Sequence, residues 1–281
     1  MANLLESTLI FARKIGQEEE KISLAEASFL LAKCVEYPNL VIDDYLGKIA
    51  RMAAEIESRL NSDARNPNSL VEHINHYLFV EQGFYGNDDD YYDPRNSFLN
   101  EVIDRKTGIP ITLSTLYIEL AGRVGLTLDG VSFPGHFIVK FSGLGDDILI
   151  DPFNGGRILS EKNCQEILNS MYAGRVQFKR EMLATSTKKQ ILTRMLNNLK
   201  GIYVNSQNHQ KALSVVELIV ELSPDNYSEI RDRGLIYYKL ECLSQALHDL
   251  EWYLRLSPDA LDSGMVINIV TRLRDLVKLI N

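Results

Sequence analysis

A chain of 281 residues with 45% apolar content is long enough to bury one large core or two modest ones. The net charge of −8 is uneven: residues 185–281 hold 12 Lys/Arg against 11 Asp/Glu, leaving −9 for residues 1–184, a balance that argues against nucleic acid as the main ligand. No apolar run reads as a membrane span, the N-terminus lacks the basic flank and cleavage pattern of a signal peptide, and Cys34, Cys164 and Cys242 are few and outside any metal-ligand spacing. The expectation is therefore a cytoplasmic protein without metal or cofactor.

The first 80 residues read as helices. Ser23-Leu-Ala-Glu26 and Ser69-Leu-Val-Glu72 both match a capping box, in which a hydroxyl accepts from a free backbone N–H and the Glu reaches back to another. A helix over 43–60 is predicted by Leu46, Ile49, Ala53, Ile56 and Leu60 on one face. His73 and His76 behind Glu72 are expected on an exposed amphipathic face. Residues 83–97 are acidic and turn-forming; Asp88, Asp90 and Asp93 lack the Gly and Glu of a calcium loop, so a surface loop is expected.

Pro110 suits the first turn of a helix because its missing N–H is not needed there. Leu113, Leu116, Tyr117, Leu120, Ala121 and Val124 follow at helical spacing, and Gly125 can end the element. Strand candidates come next at 130–133, 136–141 and 148–151. If Phe141 pairs with Ile148, His136 opposes Phe153 and Asp151 lies diagonal to it on the same sheet face. An imidazole and a carboxylate placed so form a base with its orienting acid. The same pair also makes sense as a structural hydrogen bond.

Residues 185–281 carry an internal repeat. Leu199, Tyr203, Ala212, Val216, Ile219 and Pro224 match Arg233, Tyr237, Ala246, Leu250, Tyr253 and Pro258, all 34 residues apart. That period resembles the tetratricopeptide repeat, with helices expected at 187–206, 209–222, 228–240 and 243–256 and a capping helix at 262–279. Two repeats are fewer than the three or so that bury a continuous core, so the array is expected to dock on the first domain or on another chain.

The segments Gly108–Leu126, Pro134–Phe137 and Ile150–Gly156 resemble the transglutaminase-like core. With Tyr91–Leu99 and the repeats, nearly the whole chain is similar to the bacterial SirB family. The resemblance implies an α+β, papain/transglutaminase-like domain at 1–184, with a helical lead-in at about 1–82 and a core at about 83–160, followed by an all-α repeat domain at 185–281. It also implies a Cys–His–Asp triad in which His136 and Asp151 occupy two positions. The family's cysteine falls at the start of the central helix, and here that position is Pro110, which cannot attack a carbonyl.

Ser114 is a weak substitute nucleophile, about 6 Å further along the helix axis, and Thr112 is rotated about 200° away. Arg95, Asn100 and Tyr92 are candidates for the same cleft. The leading expectation is a non-catalytic regulatory or interaction protein that binds a protein or peptide in the repeat groove through Asn197, Lys200, Asn205, Arg231 and Lys239. The alternative is a hydrolase or acyl-transfer enzyme using His136 and Asp151 with Ser114. A third arrangement has the repeats closing over the relic cleft. A basic stretch at 179–189 is the expected point of proteolytic cleavage between the halves.

Overall fold

The structure is a computed structural model that describes residues 2–60, 65–143 and 147–280; positions 144–146 of the expected hairpin loop lie outside these. The lead-in folds as α1 (Ala2–Ile15), α2 (Leu24–Val35), α3 (Ile42–Glu57) and α4 (Pro67–Asn75), the last running into a π-helical turn at His76–Glu81. Ser23 caps α2 as expected, its Oγ accepting from Glu26 N at 3.3 Å. The box is half-formed, because the Glu26 carboxylate pairs with Lys14 at 2.9 Å instead. At α4 the expectation is corrected. Asn66, not Ser69, is the cap: its Oδ1 accepts from Ser69 N at 3.0 Å, and Pro67 takes the first turn, where no N–H is required.

The middle of the chain contains β1 (Tyr85–Gly86), α5 (Leu99–Arg105), β2 (Thr107–Gly108), α6 (Pro110–Arg123), β3 (Asp129–Val131), β4 (Ile138–Phe141), β5 (Ile148–Asp151), β6 (Arg157–Leu159), α7 (Glu161–Tyr172) and β7 (Thr185–Ser186). β1 and β2 form a small parallel pair, while the main sheet is antiparallel with strand order β6-β5-β4-β3-β7. Phe141 pairs with Ile148, Lys140 with Leu149 and Val139 with Ile150, the register expected from the sequence. Strand β4 starts two residues later than expected. His136 sits instead in a turn closed by its N–H donating to Phe133 O at 2.9 Å, with Gly135 at φ +72°.

Alternation along the strands separates two layers. Phe137, Val139 and Ile150 face the large core with α6, whereas Val131, Ile138, Leu149 and Leu159 pack with Cys164 and Leu168 of α7. α6 is buried almost throughout, as its all-round apolar sequence requires.

The repeats are α8 (Lys188–Asn205), α9 (His209–Leu222), α10 (Tyr227–Lys239) and α11 (Leu243–Leu256), followed by α12 (Ser263–Ile280). Their limits agree with the 34-residue alignment to within a residue or so. α8 buries Ile191, Leu192, Met195, Leu196, Leu199 and Tyr203, and these side chains belong to the same core as α2, α5 and α6. The outer helices α11 and α12 have a separate cluster around Leu250, Tyr253, Val266 and Val270. No helix among the described residues is long and apolar enough to cross a membrane.

Candidate functional site

Asp151 ends β5 and caps the turn at Pro152–Asn154. Its Oδ1 accepts from Asn154 N at 3.3 Å and its Oδ2 from Asn154 Nδ2 at 2.7 Å. The loop beyond is fastened to α6 by Asn75, whose Nδ2 donates to Gly156 O at 2.8 Å while its Oδ1 accepts from the Tyr117 hydroxyl at 2.9 Å. Gly156 adopts φ +74°, and a Cβ there would lie 2.0 Å from Asn75 Oδ1, so only glycine lets the clamp close.

Held this way, Asp151 faces His136 with Oδ1 2.9 Å from Nε2, the diagonal meeting expected from the hairpin. The carboxylate side chain is 1% exposed and the imidazole 11%. A carboxylate acceptor fixes the N–H on Nε2 and leaves Nδ1 as the free base in neutral imidazole. Among the described residues nothing hydrogen-bonds Nδ1. The imidazole is thus held on one side by the carboxylate, and its other nitrogen is unengaged among the described residues.

Pro110 occupies the first turn of α6 and is buried. Thr112 secures that helix entry: its Oγ1 accepts from Ile109 N at 3.2 Å and donates to Asn96 O at 2.7 Å. Ser114 Oγ is fully buried and makes no hydrogen bond, so the structure does not join it to His136. The two buried thiols offer no replacement. Burial pushes both Cys34 and Cys164 up to about 11, so each is overwhelmingly protonated at neutral pH.

The surroundings of the dyad differ from the expected set. Arg95 is drawn to Asp93, 2.7 Å away, and Tyr92 is largely exposed. Burial pushes the Asp93 carboxyl up, but hydrogen bonds from Arg95 and the Arg105 charge outweigh it and hold the group below its usual range. Asn100 is buried with Oδ1 unpartnered. Tyr91 and Phe153 are the aromatic neighbours instead: the Phe153 ring stands edge-on to His136 at 6.0 Å and to Tyr91 at 6.3 Å.

A residue of α8 also reaches this site. Arg194 on α8 donates from Nη2 to His136 O at 2.7 Å, and its guanidinium lies 5.4 Å from the Phe137 ring centroid. Burial lowers its pKa from the ordinary arginine value. The signal in the sequence was a charge set among the apolar positions Ile191, Leu192 and Met195, which reads as an interface residue only once α8 is known to be half-swallowed by the first domain.

The five groove candidates divide. Asn197, Lys200 and Asn205 line one cavity of about 310 Å³ with Val204, Leu235 and Ile236. Lys200 is already neutralised there by Glu229 at 2.7 Å and Asp232 at 3.1 Å. Arg231 is likewise held by Asp232 and Asp262, and Lys239 is exposed; neither lines this cavity. A roomier cavity of about 700 Å³ lies elsewhere, among Glu19, Arg123, Asp129 and Lys188, and includes none of the expected site residues.

Comparison with known proteins accords with this geometry. Residues 43–197 match the model of the transglutaminase-like superfamily, and residues 199–270 match a tetratricopeptide repeat model. A UPF0162 protein of Xylella fastidiosa is 38% identical over 89% of both chains. Protein SirB1 of Salmonella typhimurium is 28% identical over 83% of this chain and 85% of its own. The mouse F-box only protein 21 is 27% identical over 66% of this chain, a match that spans 30% of that longer protein.

Proposed function

This chain belongs to the transglutaminase-like superfamily, among the UPF0162 and SirB1 proteins, and from that premise we propose that it is a non-catalytic interaction protein that binds a peptide in the groove of its repeats. The observation that carries the reading is Pro110 in the first turn of α6, where the resemblance puts the family's cysteine, beside a His136–Asp151 pair with no thiol or hydroxyl bonded to the imidazole among the described residues. Acyl transfer needs a nucleophile activated by its base. Here the base is kept and its partner is an imino acid. Asp151 is also committed twice to Asn154, which supports a role for the dyad in holding the turn between β5 and β6.

Two experiments test the halves of this proposal. Wild-type protein and His136→Ala are treated with a fluorophosphonate and with a peptidyl vinyl sulfone, and adducts are mapped by mass spectrometry. No His136-dependent adduct is expected; one on Ser114 that vanishes in the His136 variant would establish an enzyme. For the groove, Gly201 is the useful position, because a Cβ added there meets nothing within 4 Å. Gly201→Phe should fill the groove without unfolding the chain and abolish capture of peptides from a random pool. Undiminished capture would place the binding surface elsewhere.

A further inference from the structure

A cavity of about 700 Å³ lies between α6, β3 and the start of α8, and neither the dyad nor the repeat groove contributes to it. Its volume is that of a small-molecule site. The buried side chains of Leu24, Leu128 and Ile191, with half-buried Ile118, give it an apolar lining. Six charged residues also line it, and three of them are spent on the fold. Glu19 accepts from Lys188 N, Glu119 accepts from Ala25 N at 2.9 Å, and Lys188 Nζ donates to Ile22 O at 2.6 Å and to Glu20 O at 3.3 Å.

The other three are Glu20, Arg123 and Asp129, all exposed, and none has a side-chain hydrogen bond or ion pair among the described residues. Each has a neighbour that would ordinarily neutralise it. Glu119 precedes Arg123 by four residues on α6, the spacing of a helical ion pair, yet its carboxylate is turned to α2. Lys140 stands opposite Asp129 in the β3–β4 register, yet its ammonium is turned to Leu183 O at 3.0 Å. Lys188 meets Glu20 at the carbonyl rather than at the carboxylate. One cavity thus carries two uncompensated carboxylates and one uncompensated guanidinium beside an apolar surface.

We propose that this cavity binds a free basic amino acid of the lysine type, with its carboxylate on Arg123, its two ammonium groups on Glu20 and Asp129, and its methylene stem along Leu24, Leu128 and Ile191. Two positive charges and one negative are the complement of the three free groups, and an alkyl stem suits the lining between them. A simple diamine would leave Arg123 unpaired. A neutral amino acid would leave one carboxylate so. The site is independent of the groove reading above, since the two cavities share no residue. Because Leu24 belongs to α2 and Ile191 to α8, the ligand touches both the first domain and the first repeat.

Calorimetric titration of the full chain with L-lysine, cadaverine, 6-aminohexanoic acid and norleucine removes the ligand's charges one at a time: cadaverine lacks the carboxylate, 6-aminohexanoic acid the α-ammonium and norleucine the ε-ammonium. L-Lysine should bind tightest, and each of the others should be weaker by about fivefold or more, the factor equivalent to one exposed charge pair. Gly122 lines the cavity, and a Cβ there meets nothing within 4 Å, so Gly122→Trp should fill the space, keep the thermal midpoint and abolish binding. Asp129→Asn is the second variant: it breaks no internal side-chain contact and should weaken L-lysine about fivefold. No heat from any of the four at millimolar concentration would overturn the site. Norleucine binding as tightly as L-lysine would overturn it by reducing it to an apolar recess, and cadaverine doing so would replace the amino acid with a diamine. L-Lysine binding undiminished in both variants would overturn it by placing the ligand elsewhere.

Discussion

The two repeats have the same length and helix pattern but differ in what holds them. In the first, Leu199 and Val215 are both fully buried, and α8 and α9 lie in the core of the transglutaminase-like domain. In the second, the positions 34 residues later are Arg233 and Asp249, joined by two hydrogen bonds of 2.6 and 2.9 Å, with the Asp249 side chain only 4% exposed. Gly234 brings α10 and α11 close: a Cβ there would come within 2.9 Å of Leu250. The first repeat is thus fastened by apolar burial shared with its neighbour domain, whereas the second adds an internal ion pair and close helix approach to a separate apolar cluster formed with α12. A short array that cannot bury a core by itself has borrowed half of one.

The difference predicts opposite results from two truncations. Ending the chain at residue 184 removes Ile191, Leu192, Met195, Leu196, Leu199 and Tyr203 from the main core. At about 1.5–3 kcal/mol for each buried large apolar side chain, their loss is comparable with the whole stability of a domain, about 5–15 kcal/mol. Residues 1–184 should therefore lack a cooperative thermal transition by circular dichroism, whereas residues 1–225 should keep one. The basic stretch at 179–189 should likewise fail to yield a folded C-terminal fragment on limited proteolysis. A stable 1–184 domain would show that the first repeat is only leaning on its neighbour.

A smaller effect is expected at the ion pair itself. Arg233→Leu restores the residue type of the first repeat but strands Asp249, at a cost of about 3 kcal/mol in urea unfolding. Adding Asp249→Val should recover most of that loss, since a well-packed apolar pair can match a buried ion pair. If the double substitution is as damaging as the single one, the close approach at Gly234 leaves no room for branched side chains, and the two repeats are not interchangeable.

How much of this was legible in the sequence follows from the range of the interactions. The 34-residue period located the repeat helices because Tyr, Ala and Pro recur at positions set by local helix packing. The β4–β5 register was legible because pairing Phe141 with Ile148 closes the hairpin across a short polar loop, although His136 meets Asp151 from the turn before β4 and not from the strand. What the sequence hid was long-range: Arg194 reaching His136, Asn75 clamping Gly156, and Tyr91 standing against Phe153, the ring beside His136. α7, β6 and β7 also escaped notice. Ser160 with Asn163 is the cap signal for α7 that could have been read, whereas two-residue β7 exists only because β3 offers it an edge. Arg231, paired with Asp232 and Asp262, and the exposed Lys239 show why a charge on a repeat helix looks the same in the sequence whether it faces a ligand, an internal acid or water.

The subtlest contrast lies at the contact between the repeats, where Glu217 of α9 accepts from the Tyr237 hydroxyl of α10 at 3.2 Å. Burial pushes the Glu217 carboxyl above its ordinary range; the Tyr237 hydrogen bond and the Arg233 charge oppose this without cancelling it. The folded chain therefore binds a proton here more tightly than the unfolded chain does. The stabilisation is complete below the unfolded-state pKa and is lost as pH rises through the folded-state value, so at neutral pH the ionised side chain works against the repeat contact. Glu217→Gln should raise the thermal midpoint at pH 7 by about 2 °C, and the advantage should shrink as pH falls toward 4, where the wild-type carboxyl is itself protonated. An advantage constant across that range would mean that the charge is not the cause. A loss of stability at pH 7 would mean that the ionised carboxylate, through Tyr237 and Arg233, is what joins the two differently built repeats.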